Sequence, residues 1–134
     1  MDEATLKDIL TRYRTIVSVG LSSNTARPSH GVCRYLRSRG YRIIPVNPGE
    51  TAVLGEKAYP DLESVPGNVE LVQIFRAPEH VPAIVESAIA KGAKVVWMQD
   101  GAGNAEAAKR AEEAGLIAVV DDCMTRVHRR LFGG

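Results

Sequence analysis

The feature that most narrows the folds open to this chain is a repeated alternation of two apolar patterns. Thr15-Ile16-Val17-Ser18-Val19 stops at Gly20, Arg42-Ile43-Ile44-Pro45-Val46 runs into Asn47-Pro48-Gly49, and Glu70 to Phe75, Lys94 to Met98 and Leu116 to Val120 repeat the form. Short β-branched runs that end at turn residues suit strands buried on both faces. Between them the apolar residues change to helical spacing. Val32, Cys33, Tyr35 and Leu36 form one stripe, opened by Pro28-Ser29 and closed by Gly40. Val81, Ile84, Val85, Ala88 and Ile89 form another that Gly92 closes, and a third helix runs from an Asn104 cap through Ala114 to Gly115. Proline suits a first helical position, and glycine suits the left-handed residue that follows a helix.

Strands that alternate with helices predict an α/β fold: a Rossmann-like, doubly wound parallel sheet of five or six strands with helices on both faces. An amphipathic helix with Asp2 as its N-cap and Leu6, Ile9, Leu10 and Tyr13 on one side leads into it. Pro45 marks a strand end or a poorly paired stretch. Residues 53–66 read as irregular, with a short strand near Ala58-Tyr59. Pro78 and Pro82 belong in or before the first turn of the next helix, because an interior proline costs ~3 kcal/mol. The tail from Asp121 to Gly134 is basic and helical in character.

At 134 residues the chain is expected to form a single domain, 1–134, large enough to bury a core without a disulfide or a metal. Seventeen Lys and Arg against 16 Asp and Glu leave a formal charge of +1, a balance that does not favour nucleic acid. The two cysteines, Cys33 and Cys123, form no metal-ligand spacing and fit reduced cytoplasm. Met1-Asp2-Glu3 lacks the basic start of a signal peptide, and no apolar run approaches the ~20 residues of a membrane span.

Right-handed crossovers put the C-terminal ends of all the strands on one edge, and ligands of such sheets bind outside that edge. The edge comprises Gly20, Leu21, Ser22, Ser23 and onward to Arg27, Pro28 and Ser29; then Asn47 and Pro48; then Phe75 and Arg76; then Gln99, Asp100 and Gly101; and finally Asp121-Asp122-Cys123. The first loop precedes a helix whose N-terminal N–H groups favour an anion. Serine hydroxyls and Arg27 add donors, which together suit a pyrophosphate; the plainer alternative is a capped surface loop with a solvated arginine. The loop is not GxGxxG, and the second strand ends in Asn47 rather than an acid that would hold a ribose hydroxyl. An asparagine there can bond a nucleoside edge without repelling a 3′-phosphate, which is compatible with coenzyme A and less so with NAD.

No catalytic constellation stands out. His30, His80 and His128 fall in separate helical contexts and read as surface or capping residues, and no serine lies in GxSxG. Trp97 and Met98 read as core. Cys123 follows the last strand and is expected either to face the ligand edge, within reach of a mixed disulfide with coenzyme A, or to be a small buried apolar residue.

Several of these blocks together resemble a known family. Val19-Gly20-Leu21-Ser22, Arg27-Pro28-Ser29, Tyr41 through Pro48, Phe75-Arg76, Gly92 through Gln99 and Asp122-Cys123-Met124 look like the small stand-alone bacterial CoA-binding proteins. Those are similar in turn to the N-terminal CoA-binding domain of the succinyl-CoA synthetase α subunit. The resemblance spans roughly Leu10 to Met124. It implies a pyrophosphate at the first loop and helix, and nucleotide contacts near Val46, Asn47, Pro48, Phe75 and Arg76. The synthetase's phosphorylated histidine belongs to a second domain, so the resemblance carries binding of CoA or an acyl-CoA and not ligase chemistry. Relatives often have a lysine in the first loop, where this chain has Ser23-Asn24-Thr25-Ala26, which shifts the expected phosphate contact onto Arg27 and the backbone.

Two other readings stay open at this point: an enzyme that uses NAD(P) or another nucleotide, and a regulatory subunit with a vestigial pocket. A homo-oligomer and an unidentified protein partner stay open as well.

Overall fold

A computed structural model describes residues 1–133. Seven strands and five α-helices lie along it. The strands are β1 (Thr15–Val19), β2 (Arg42–Val46), β3 (Ala52–Val53), β4 (Glu56–Lys57), β5 (Leu71–Ile74), β6 (Val95–Met98) and β7 (Ile117–Val120). The helices are α1 (Glu3–Arg12), α2 (Pro28–Ser38), α3 (Val81–Ala90), α4 (Ala105–Glu113) and α5 (Met124–Phe132). Five strands form one sheet in the order β2-β1-β5-β6-β7, and all its pairings are parallel. This is the expected Rossmann-like α/β architecture. Strand order reverses between β1 and β5, which opens a crevice at their C-terminal ends.

Alternate residues of each strand feed two separate cores, as a strand with period two requires. Val17, Val72, Ile74, Val96 and Met98 pack with Val85 and Ala88 of α3 and Ala107 and Ala111 of α4. Ile16, Ile43, Leu71, Val95, Trp97 and Val119 pack on the other face with Leu6 and Ile9 of α1, Cys33 and Leu36 of α2, and Met124 and Val127 of α5. Trp97 and Met98 are fully buried, as expected.

The second face also holds a buried polar chain. Ser18 and Gln73 are register partners on β1 and β5. The Ser18 hydroxyl donates to Gln73 Oε1 at 2.9 Å, and the Cys33 thiol lies 3.2 Å from the same oxygen. Gln73 Nε2 donates to Gln99 Oε1 at 3.4 Å, which also accepts the Met124 backbone N–H at 2.9 Å. Among the described residues no buried side-chain polar atom lacks a partner, which is the condition for such a chain not to cost stability.

Local signals landed well at the helix ends. Asp2 accepts from the Thr5 N–H at 2.7 Å, and Asn104 accepts from the Ala107 N–H at 2.9 Å. Pro78 opens a 3-10 turn, Pro78–His80, and Pro82 lies in the first turn of α3. Pro45 falls on the sheet's outer strand, where its carbonyl accepts from the Tyr59 N–H and the proline nitrogen needs no ladder partner.

Two expectations need correction. The short strand near Ala58-Tyr59 is instead the β3–β4 hairpin, and Tyr59 makes only one isolated parallel bridge, to Val46. The hairpin turns at Leu54 and Gly55, both at positive φ, and a leucine there hides the turn from composition. His30 and His128 are not surface residues but 9% and 7% exposed, while His80 is exposed and stands just before α3 without a side-chain capping bond. Gly134 of the basic tail lies outside the described residues; the rest of that segment is largely α5.

His128 holds α5 to the body of the fold. Its ring stacks on Phe132 at 4.9 Å and meets the rings of Tyr35 and Tyr41 edge-on. Its Nδ1 is 3.0 Å from the Tyr35 hydroxyl. Burial, together with the nearby Arg39 and Arg14 guanidinium groups, pushes its pKa below the ordinary histidine value. The unfolded chain therefore takes up this proton at a higher pH than the native one. Stability from the neutral ring is complete above about pH 6.5 and is lost as pH falls toward the lower native pKa. Melting temperature is expected to drop between about pH 7.5 and about pH 5.5. His128→Gln, which can still meet the Tyr35 hydroxyl but does not titrate, should flatten that part of the curve; an equally steep fall in the variant would assign the effect to other groups.

Candidate functional site

A cleft of about 860 Å³ opens at the C-terminal ends of β1, β2, β5 and β6. It lies where strand order reverses, so the topology alone predicts its place. Of the residues expected there, Gly20, Ser22, Arg27, Pro28, Ser29, Val46, Asn47, Pro48, Phe75, Arg76, Asp100 and Gly101 line it.

The floor is set by a close approach of two strand ends. Gly20 has φ +91°, its N–H donates to the Val46 carbonyl at 2.8 Å, and a Cβ on it would overlap the Phe75 carbonyl oxygen. The Arg76 side chain passes over the same α-carbon. Glycine at this position thus lets the end of β5 close over the end of β1.

Arg27 and Arg76 put two exposed guanidinium groups on the cleft, and among the described residues neither pairs with a carboxylate. Arg27 is the N-cap position of α2 and Pro28 its first residue. Ser29 does not cap the helix as its position suggests. It is buried, and its hydroxyl accepts the Ser22 N–H at 3.1 Å. The first loop is in fact laced to itself. Asn24 N–H donates to the Ser22 hydroxyl, Ala26 N–H to Asn24 Oδ1, and Arg27 N–H to the Asn24 carbonyl. Fewer of its backbone donors face outward than the sequence implies, so more of any anion attraction falls on the two arginines and the start of α2.

Leu21, Ser23 and Gln99 are not on the cleft. Leu21 is fully buried in the core beneath α2. Ser23 stands at the rim, where its N–H and hydroxyl both donate to Glu50. Gln99 turns inward to Gln73 and Met124, because a buried amide needs those partners. Asn47 lines the cleft, but its side chain is engaged: Nδ2 donates to the Leu21 carbonyl at 3.2 Å and Oδ1 accepts the Gly49 N–H at 3.0 Å. It forms an Asx turn that ties the second loop to the first rather than offering a free amide to a nucleoside.

Sequence reasoning missed the opposite wall. Pro60 to Glu63 come from the segment read as irregular, and Ala83, Ile84 and Ser87 come from α3, a helix that enters the cleft sideways. Asp61 is occupied by the Ser64 N–H and hydroxyl. Asp100 also lines the cleft, and Arg126 of α5 holds it bidentately at 2.9 and 3.1 Å while reaching Asp122 at 2.8 Å. These bonds hold the Asp100 carboxyl below the usual carboxylate range. Asp121, at φ +52°, accepts the N–H groups of Gly101 and Gly103 and shapes the loop on that side. Asp100 and Asp121 follow from the strand-end edge, whereas no local pattern announces Pro60 to Glu63 or the α3 residues, which only the folding of distant segments brings to the cleft.

Cys123 lies at the expected edge but opens into a different groove, between α2 and α5, with Val32, Tyr35 and Arg129. The linings of the cleft and of this groove share Pro28. Cys33 is buried, and burial pushes its thiol up to about 12, which leaves it protonated and unreactive. Among the described residues no cluster of His, Cys, Asp or Glu is arranged to hold a metal. None of the described helices is long and apolar enough to cross a membrane.

Comparison with known proteins decides the family. A family model described as a CoA binding domain matches residues 14–129, most of the chain. The chain belongs to this CoA-binding domain family. A Bacillus subtilis protein, YneT, is 37% identical over 126 residues, covering 94% of this chain and 93% of the relative. The α subunit of an ADP-forming acetate–CoA ligase II from Pyrococcus furiosus is 30% identical over 114 residues, which cover 84% of this chain but only 25% of that subunit. A solved structure of a Pyrococcus horikoshii protein is 45% identical, with a TM-score of 0.96 over 99% of this chain and 94% of that one. Membership of the CoA-binding domain family supports coenzyme A binding as the general function, and the ligase relative bears out the resemblance to a synthetase subunit's CoA domain.

Proposed function

We propose that this chain binds coenzyme A or an acyl-CoA in the cleft between β1 and β5, as a single binding domain without ligase chemistry of its own. The observation that carries this reading is the pair of unpaired arginines, Arg27 and Arg76, at the start of α2 and the end of β5. Permanent cations beside a helix N-terminus suit a diphosphate. The apolar positions Ala77, Ala83, Ile84 and Ala102 suit the neutral pantetheine arm. A cleft of about 860 Å³ falls in the range of ligand sites and is large enough for a nucleotide with a flexible tail.

The NAD reading is weaker because β2 runs into Asn47 rather than into the acid that usually holds a ribose hydroxyl at that strand end. Calorimetric titration with CoA and with NAD separates the two. CoA is expected to bind at least tenfold more tightly; equal or tighter NAD binding would overturn the proposal. Incubation with CoA, acetate and ATP should give no acyl-CoA, and product that scales with the protein would show that a ligase step resides in this chain.

A further inference from the structure

We propose that Glu50 is an internal anion that opposes the ligand's phosphates at the first loop, and thereby limits how tightly the cleft takes a phosphorylated ligand; this rests on the coenzyme A reading above. One carboxylate oxygen of Glu50 accepts both the Ser23 backbone N–H, at 2.8 Å, and the Ser23 hydroxyl, at 2.9 Å. The acceptors of the neighbouring N–H groups at Ser22, Asn24, Ala26 and Arg27 are all neutral: two hydroxyls, an amide oxygen and a carbonyl. Glu50 is therefore the one formal charge among these loop acceptors. The two bonds hold its carboxyl below the ordinary glutamate range, so it is ionised at neutral pH.

The position matters because Ser23 lies between the Ser22 and Arg27 positions that line the cleft. A phosphate that settles at Arg27 and the start of α2 has two options. It can take Ser23's donors and displace the carboxylate, or it can leave the carboxylate in place as a nearby like charge. Both outcomes cost affinity for a phosphate, and neither affects a neutral pantetheine fragment. Nor is Glu50 needed to hold the two loops together. Asn47 Nδ2 bonds the Leu21 carbonyl independently, and Asn47 Oδ1 secures its own turn. Removing the charge therefore relieves the opposition without opening the rim.

Calorimetry on the full chain tests this with wild type, Glu50→Gln and Glu50→Ala, each titrated with CoA, pantetheine and inorganic pyrophosphate. Glutamine keeps an oxygen for Ser23 and removes the charge; alanine removes both. Each variant should bind CoA roughly three- to tenfold more tightly at low salt, the scale of one exposed like charge near an anion. The gain should shrink as salt is raised, and pantetheine affinity should not change. Unchanged or weaker CoA binding in both variants would overturn the role of Glu50 while leaving CoA binding intact. If wild type binds no CoA, the coenzyme A reading fails instead. Pyrophosphate then still judges Glu50: tighter binding in the variants supports the opposing anion, and equal binding refutes it.

Discussion

Gly20→Ala is expected to destabilise the chain by about 3 kcal/mol or more. The position has φ +91°, and an added Cβ would run into the Phe75 carbonyl oxygen, a backbone atom just past the end of β5. Neither partner can yield cheaply. The Phe75 N–H bonds the Val19 carbonyl at 2.8 Å, and the Gly20 N–H bonds the Val46 carbonyl at the same distance. Any relief must separate β1 from β5 or from β2, at the centre of the sheet. For a domain of this size the loss corresponds to a fall in melting temperature of about 10 °C. Gly31→Ala makes the natural control. It lies inside α2 with open space around its Cβ position, and alanine there should be neutral or stabilising. A Gly20→Ala protein that melts with the wild type would mean that the strand ends are looser than their hydrogen bonds indicate.

Arg27→Ala is expected to weaken CoA binding roughly tenfold or more, since a charge-assisted contact to phosphate is worth about 1.5–3 kcal/mol. Folding should hardly change, because Arg27 is exposed and makes no ion pair among the described residues. Arg27→Lys should recover only part of the loss, as an ammonium cannot bind a phosphate bidentately. Pantetheine, which has no phosphate, should bind wild type and Arg27→Ala alike. Arg76→Ala should lose less if it meets only one phosphate oxygen, and the double variant measures whether the two arginines share a ligand group. Titration of the five proteins with CoA and pantetheine decides the matter; equal CoA affinity throughout would place the phosphates elsewhere.

The two expectations bear on different parts of the same strand end. Gly20 acts through the backbone, where a single carbon would disturb three strands. Arg27 acts through charge at a helix start that the fold already points into the cleft. A protein with the first change should melt at a lower temperature and bind less well as a consequence; one with the second should melt normally and bind poorly on its own account.

Much of this organisation was legible in the residues alone. The β-branched runs, the glycines after them and the caps at Asp2 and Asn104 are local signals, governed by backbone geometry within a few positions, and they placed the elements and the parallel sheet. Because the sheet is parallel, the edge at which the cleft opens followed as well, and with it Gly20, Arg27, Pro28, Phe75 and Arg76 in its lining. What remained illegible depends on contacts between segments far apart in the chain. Gln99 and Asn47 have the chemistry of ligand contacts, but tertiary packing gave them internal partners, Met124 and Leu21, that no local pattern foretells. Residues 60–63 carry no periodicity, yet they fold over to form a wall of the cleft. Cys123 shares the edge with the cleft, but the direction of its side chain follows from how α5 packs on α2, through His128 and Tyr35. Sequence by itself determined which backbone conformations and which edge this chain would have, because those obey short-range rules. Tertiary structure alone decided which polar side chains were left over for a ligand, because a polar group is spent on whichever partner burial brings within reach.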